Sequence, residues 1–148
     1  MNKYKRILVA VDLSGASDVV METAIELGRA LQSELHVIHV YKTHTGTMKE
    51  GAKVDTTNPD FREVEKLQNK LDKYIAQYAD TGMAMTTSVY TGEPYLEILQ
   101  AAQKTGANMI IMGTNGRTGV AYLVLGSVAE NVLRHASVPV MSIRCRGR

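Results

Sequence analysis

Ile7-Leu8-Val9-Ala10-Val11, stopped by Asp12, is apolar at every position instead of at every second one. A strand that reads this way is covered on both faces, which is the condition of a central strand in a parallel sheet flanked by helices. Beyond Asp12-Leu13-Ser14-Gly15, the residues Val20, Ala24, Leu27 and Leu31 recur at helical spacing between about Ala16 and Gln32. Leu35 to Tyr41 is again strand-like. The helix between the two supplies the crossover that parallel neighbours require.

The alternation continues to the end of the chain. Phe61, Val64, Leu67, Leu71, Ile75 and Tyr78 mark a second helix, and Met83 to Tyr90 a third strand. Gly92-Glu93-Pro94 is a turn that places Pro94 in the first helical turn, where its missing N–H costs nothing. Ile98, Leu99 and Ala102 form that helix's buried face, and Gly106 suits the left-handed position just past its end. Asn108 to Met112 is a fourth strand, Ser127 to His135 a short helix, and Val138 to Ile143 a last strand. Five strands alternating with four helices predict an open α/β sheet with helices on both faces, as one domain over residues 1–148. The stretch from Lys42 to Asp60, rich in Thr, Gly, Lys and Asn, has no usable period and reads as a long loop.

Composition narrows the function. Seventeen Lys and Arg against fifteen Asp and Glu leave a net charge of +2, too little to predict nucleic-acid or membrane binding. No apolar run approaches the ~18 residues of a membrane span. The single cysteine, Cys145, supplies neither an internal disulfide nor a Cys-rich metal site, so a soluble, cytoplasmic protein is expected. His36 and His39 alternate with apolar strand positions and read as packed or edge residues, not metal ligands, and His44 and His135 stand isolated.

Ligands of open α/β sheets bind beyond the carboxyl ends of the strands where the strand order reverses. Asp12 closes the first strand, and Gly113 to Ser127, with four glycines, follows the fourth. Glycine lets a ligand approach the main chain, and a helix starting at Ser127 offers unpaired N–H groups to an anion. Gly113, Gly116, Gly126, Ser127 and the amide of Val128 thus suit a phosphorylated ligand. Ser127-Val128-Ala129-Glu130 is also a capping box, which needs no ligand. Asp12 has a comparable second reading as an N-cap or turn residue before Ser14. Neither a Walker A sequence nor a G-x-G-x-x-G after the first strand is present, so P-loop nucleotidases and Rossmann dehydrogenases are unsupported.

The chain resembles the nucleotide-binding universal stress proteins. Their signature G-x2-G-x9-G-[ST] is met by Gly113, Gly116, Gly126 and Ser127, and the likeness extends through Lys5 to Asp12, His39-Val40, and Val128-Ala129-Glu130 through Val138-Pro139-Val140. The resemblance implies an adenine nucleotide alpha hydrolase-like fold, a parallel five-stranded sheet of order 3-2-1-4-5. It implies ATP or another adenine nucleotide as ligand, with Mg. The main chain of Val40 is then expected at the adenine edge, Val11 and Asp12 against the nucleoside, and Gly113 and Gly116 at the ribose and phosphates. Gly126, Ser127 and Val128 are expected on the phosphate chain, with Met112 and Arg117 beside the motif and Asp12 able to reach the nucleotide's Mg. It also implies a homodimer through Val138 to Ile143, at a sheet edge that Pro139 must not interrupt. Arg117 is the one cation within the glycine segment, and no evident general base accompanies it, so binding with little or slow hydrolysis is expected. An ATP hydrolase or phosphotransferase, or a dimeric interaction module without nucleotide, are the alternatives.

Overall fold

The run that opens the chain becomes the middle of the sheet. A computed structural model describes residues 2–42, 59–114 and 125–144. Its strands β1 (Arg6–Ala10), β2 (Glu34–Tyr41), β3 (Met85–Thr91), β4 (Met109–Gly113) and β5 (Val140–Ile143) form one parallel sheet of order β3-β2-β1-β4-β5. Helices α1 (Ser17–Leu31), α2 (Pro59–Ala76), α3 (Pro94–Thr105) and α4 (Ser127–His135) connect them, with a 3-10 turn at Ala79–Thr81.

Each face of the sheet has its own core. Ile7, Val9, Leu35, Val37 and Ile111 meet Val20, Met21, Ala24 and Ile25 of α1 and Leu71 of α2. Leu8, Ile38 and Ile110 meet Ile98 and Ala101 of α3 and Ala129 and Val132 of α4. Ile7, Leu8 and Val9 are all 0% exposed, so consecutive residues are buried on opposite faces, as the unbroken apolar run requires. Gly28 lets α1 lie close to the sheet: a Cβ there would meet the Met83 methyl at 2.7 Å and the Leu35 side chain at 3.2 Å. Helix α2 covers the edge strand β3, so its apolar stripe is only partly closed, and Phe61 stays exposed.

Local signals behave as the sequence predicts at α3. Pro94 opens it after the extended N-cap Glu93, and Gly106 closes it at φ +67°. The last strand begins later than its apolar pattern suggests. Pro139 has no N–H for the ladder, so β5 starts at Val140, while the Pro139 carbonyl still accepts the Ile110 N–H at 2.9 Å. The third strand likewise starts at Met85, with Met83 packed on the core instead. The capping box does not form. Gly126 is the N-cap of α4 and Ser127 its first helical residue, which moves Glu130 one position too far along. The Glu130 carboxylate pairs with Arg134 at 2.9 Å instead.

Candidate functional site at the strand switch point

From β1 the chain crosses to β2 and β3 on one side, then returns to β4 and β5 on the other, so the strand order reverses between β1 and β4. A cavity of about 590 Å³ lies at the carboxyl ends of these strands, within the range of small-molecule sites. Val11, Asp12, Val40, Met112, Gly113, Gly126, Ser127 and Val128 all line it. Residues 115–124, and with them Gly116 and Arg117, lie outside the described residues, as do most of the stretch between Lys42 and Asp60, Cys145 and the final basic residues.

Asp12 is built into the loop that leaves β1. Its Oδ1 accepts the Ser14 N–H at 2.9 Å, the Ser14 hydroxyl at 2.6 Å and the Ser17 hydroxyl at 3.0 Å. This turn carries Leu13 through φ +62°, a left-handed conformation rare for a branched residue. The turn role read from the sequence is therefore real, whereas the N-cap of α1 is Ala16. Ser17, which receives the third bond, is 1% exposed and also lines the cavity.

The opposite wall is the start of α4. The Gly126 N–H is already given to the Thr114 carbonyl at 2.8 Å, which pins the two ends of the glycine segment together. Glu130 makes the first intrahelical bond, to the Gly126 carbonyl at 2.9 Å. The amides of Ser127, Val128 and Ala129 consequently have no carbonyl partner within the helix, and no side chain caps it. All three residues line the cavity, so donors without a partner among the described residues and the positive end of the helix dipole meet there.

Residues 3–144 match the model of the universal stress protein family. The chain belongs to this family. Universal stress protein MJ0531 of Methanocaldococcus jannaschii is 30% identical over 145 residues, spanning 97% of this chain and 84% of the relative. The solved structure of MJ0577 from the same archaeon has a TM-score of 0.78 at 26% identity, with 95% of this chain and 96% of that one covered. A universal stress protein of Archaeoglobus fulgidus in complex with dAMP gives a TM-score of 0.66 at 24% identity, covering 97% and 99%. At that identity the likeness speaks for the fold alone.

This universal stress protein also brings to the cavity residues that the sequence reading did not assign to a site. His39, 7% exposed, donates from Nδ1 to the Val11 carbonyl at 2.9 Å. Its position at the carboxyl end of β2, directly before Val40, was the available signal. Pro94 and Ile98 enter because α3 starts at the same end of the sheet. Thr114 enters as the last residue before the glycine segment leaves, its N–H bonded to the Ile143 carbonyl at 2.9 Å. Lys42 adds a cationic side chain at the rim. Among the described residues no three His, Cys, Asp or Glu side chains are grouped to hold a metal ion, and no helix is long and apolar enough to cross a membrane. His135, isolated in sequence, stacks on Tyr95 with ring centroids 6.1 Å apart.

Proposed function

We propose that this universal stress protein binds an adenine nucleotide, ATP foremost, in the switch-point cavity. The observation that carries the reading is the pairing of two unlike walls in one space. One is the apolar, main-chain-rich rim of β1 and β2, and the other is the set of three amides opening α4 that lack a partner among the described residues. The first suits a nucleobase and its ribose, and the second suits a phosphate chain. The dAMP held by the Archaeoglobus relative is of the same ligand class.

Val40 then meets the adenine edge, and Val11 and Asp12 the nucleoside. Gly113 and Gly116 border the ribose and phosphates, with Met112 beside the motif, and Ser127 and Val128 hold the phosphate chain. Gly126, its N–H already engaged, contributes the absence of a side chain, and Arg117 stands beside the motif. Mg would come with the nucleotide, and Asp12, at the carboxyl end of β1, is the residue that would reach it. Hydrolysis is slow or absent, because phosphoryl transfer relies on cationic clamps and an oriented nucleophile, and the glycine segment offers only Arg117 with no evident general base beside it. The nucleotide acts as a signal, in a cytoplasmic homodimer formed along Val138 to Ile143. Support for the dimer comes from β5, an edge strand with Met141 exposed, and from exposed Leu133 on the adjoining α4.

Thermal melting tests the ligand reading. ATP at 100 times its dissociation constant adds roughly 2.7 kcal/mol to the parent, visible as a raised Tm. Gly126→Val, which puts a branched side chain on the cavity wall, abolishes most of that rise. An equal rise in both proteins would refute the phosphate-site assignment, and sedimentation showing only monomer at micromolar concentration would refute the dimer.

A further inference from the structure

We infer that His39 is a positioning residue that ends the β1–β2 ladder one hydrogen bond early and so presents the main chain of Val40 to the adenine edge. In a parallel ladder, a residue facing its neighbour strand donates to one residue and accepts from the residue two further on. Val11 begins this pattern, donating its N–H to the Ile38 carbonyl at 2.9 Å. Continuation requires the Val40 N–H on the Val11 carbonyl. Pairing stops instead at Ala10 opposite Ile38, and the Val11 carbonyl accepts Nδ1–H of His39 at 2.9 Å.

The consequence falls on Val40. Even-numbered residues of β2 direct their amides toward β1, as the Glu34 N–H to the Lys5 carbonyl shows, while odd-numbered ones direct them toward β3, as Leu35 does to the Ala84 carbonyl. Val40 therefore has no β3 carbonyl in line, and because the pairing with β1 ends at Ala10 opposite Ile38, no ladder bond to β1 meets its N–H. Val40 lines the cavity, so a main-chain group left without a ladder partner among the described residues lies at ligand space. A buried or half-buried amide without a partner is costly to retain. An adenine edge, which presents an acceptor beside a donor, satisfies the N–H and carbonyl of one residue together.

A ring donor suits this task, because imidazole reaches the carbonyl from within its own strand and is held by burial, 7% exposed. An apolar residue at position 39 cannot compete for the Val11 carbonyl, and the ladder then closes over Val40.

This inference rests on the adenine reading above, and its test separates the two. Amide hydrogen exchange is followed by NMR in the ligand-free parent, in His39→Val and in His39→Asn, whose side-chain amide occupies the place of Nδ1. The expected result is a fast-exchanging Val40 amide in the parent and in His39→Asn, and a protected one in His39→Val. Calorimetry is expected to show ATP affinity lowered about tenfold in His39→Val, the scale of one or two lost hydrogen bonds. His39→Asn should stay within about threefold of the parent, and competition by inorganic tripolyphosphate should be unchanged in both. A Val40 amide already protected in the ligand-free parent overturns the role given to His39 even if ATP binds. An exposed Val40 amide together with no ATP binding by the folded parent overturns the adenine reading and leaves only the shortened ladder. If His39→Val does not fold, loss of ATP affinity in folded His39→Asn with its exchange pattern intact overturns the proposal.

Discussion

Asp12→Ala removes the acceptor around which the β1–α1 loop is organised, and its cost follows from three contributions. Three hydrogen bonds to one carboxylate oxygen, at 2.9, 2.6 and 3.0 Å, are lost. One of their donors, the Ser17 hydroxyl, belongs to a residue only 1% exposed, and an unpaired buried hydroxyl costs about 1–3 kcal/mol. Leu13 remains at φ +62°, and a left-handed branched residue costs about 1–2 kcal/mol that the Asp12 turn no longer offsets. These contributions overlap, because the loop relaxes and water reaches part of it, so the net loss is about 2–4 kcal/mol. For a chain of this size that lowers Tm by roughly 5–15 °C. Asp12→Asn is the control. Its side-chain carbonyl accepts the same three bonds, so it should stay within about 1 kcal/mol of the parent while removing the charge. Urea and thermal unfolding of the three proteins decide the matter: an Asp12→Ala protein within about 0.5 kcal/mol of the parent, the range of inconsequential surface changes, would refute the claim that this carboxylate holds the cavity wall.

His36 gives a pH dependence of defined sign. Burial, with the nearby Arg6 guanidinium, holds its imidazole below the ordinary histidine range, and Nε2 is enclosed without a hydrogen-bond partner among the described residues. The folded state therefore binds fewer protons than the unfolded one. Stability is full above about pH 6.5 and declines as pH falls below it, and His36→Leu should flatten that decline in denaturant titrations between pH 7 and 5.5. Tyr74 of α2 and Tyr78, just beyond its end, are tied to α1 through Asp18, with hydroxyl-to-Oδ1 distances of 2.8 and 3.2 Å. Burial, with their shared hydrogen bonding, pushes the Tyr74 phenol well above its usual range, and burial raises Tyr78 as well. Tyr74→Phe should cost about 0.5–1.5 kcal/mol in thermal unfolding, and the parent should lose stability as pH rises beyond about 10.

The sheet was legible because burial on both faces leaves its mark on composition: Ile7 to Val11 and Met109 to Met112 carry no polar residue. The helix limits at Pro94 and Gly106 were equally plain, since each residue has one backbone preference that the position uses. Boundaries set by hydrogen bonding were harder. Val138 is apolar enough for a strand, yet the ladder waits for the first residue after Pro139 that can donate. The Ser127 to Glu130 pattern misled for a similar reason, since a capping box depends on which residue is the N-cap, and Gly126 takes that place.

The site divides along the same line. Glycine spacing and the ends of the strands pointed to Asp12, Gly113, Gly126, Ser127 and Val128, the family resemblance added Val11, Val40 and Met112, and all eight line one cavity. The partners inside it were not readable. The threefold acceptance by Asp12 depends on the backbone reversal at Leu13, and the bond from His39 to Val11 depends on the register of β1 against β2. The first is a local turn whose closure at Ser17 needs the left-handed Leu13, and the second is a tertiary contact between residues 28 apart in sequence that no short motif encodes.

Calorimetry with ATP, in the presence of magnesium, on protein shown to be folded and nucleotide-free tests the central claim most directly. The account predicts saturable heat with one nucleotide per chain, much reduced in Gly126→Val. Absence of any association heat at millimolar ATP would contradict it.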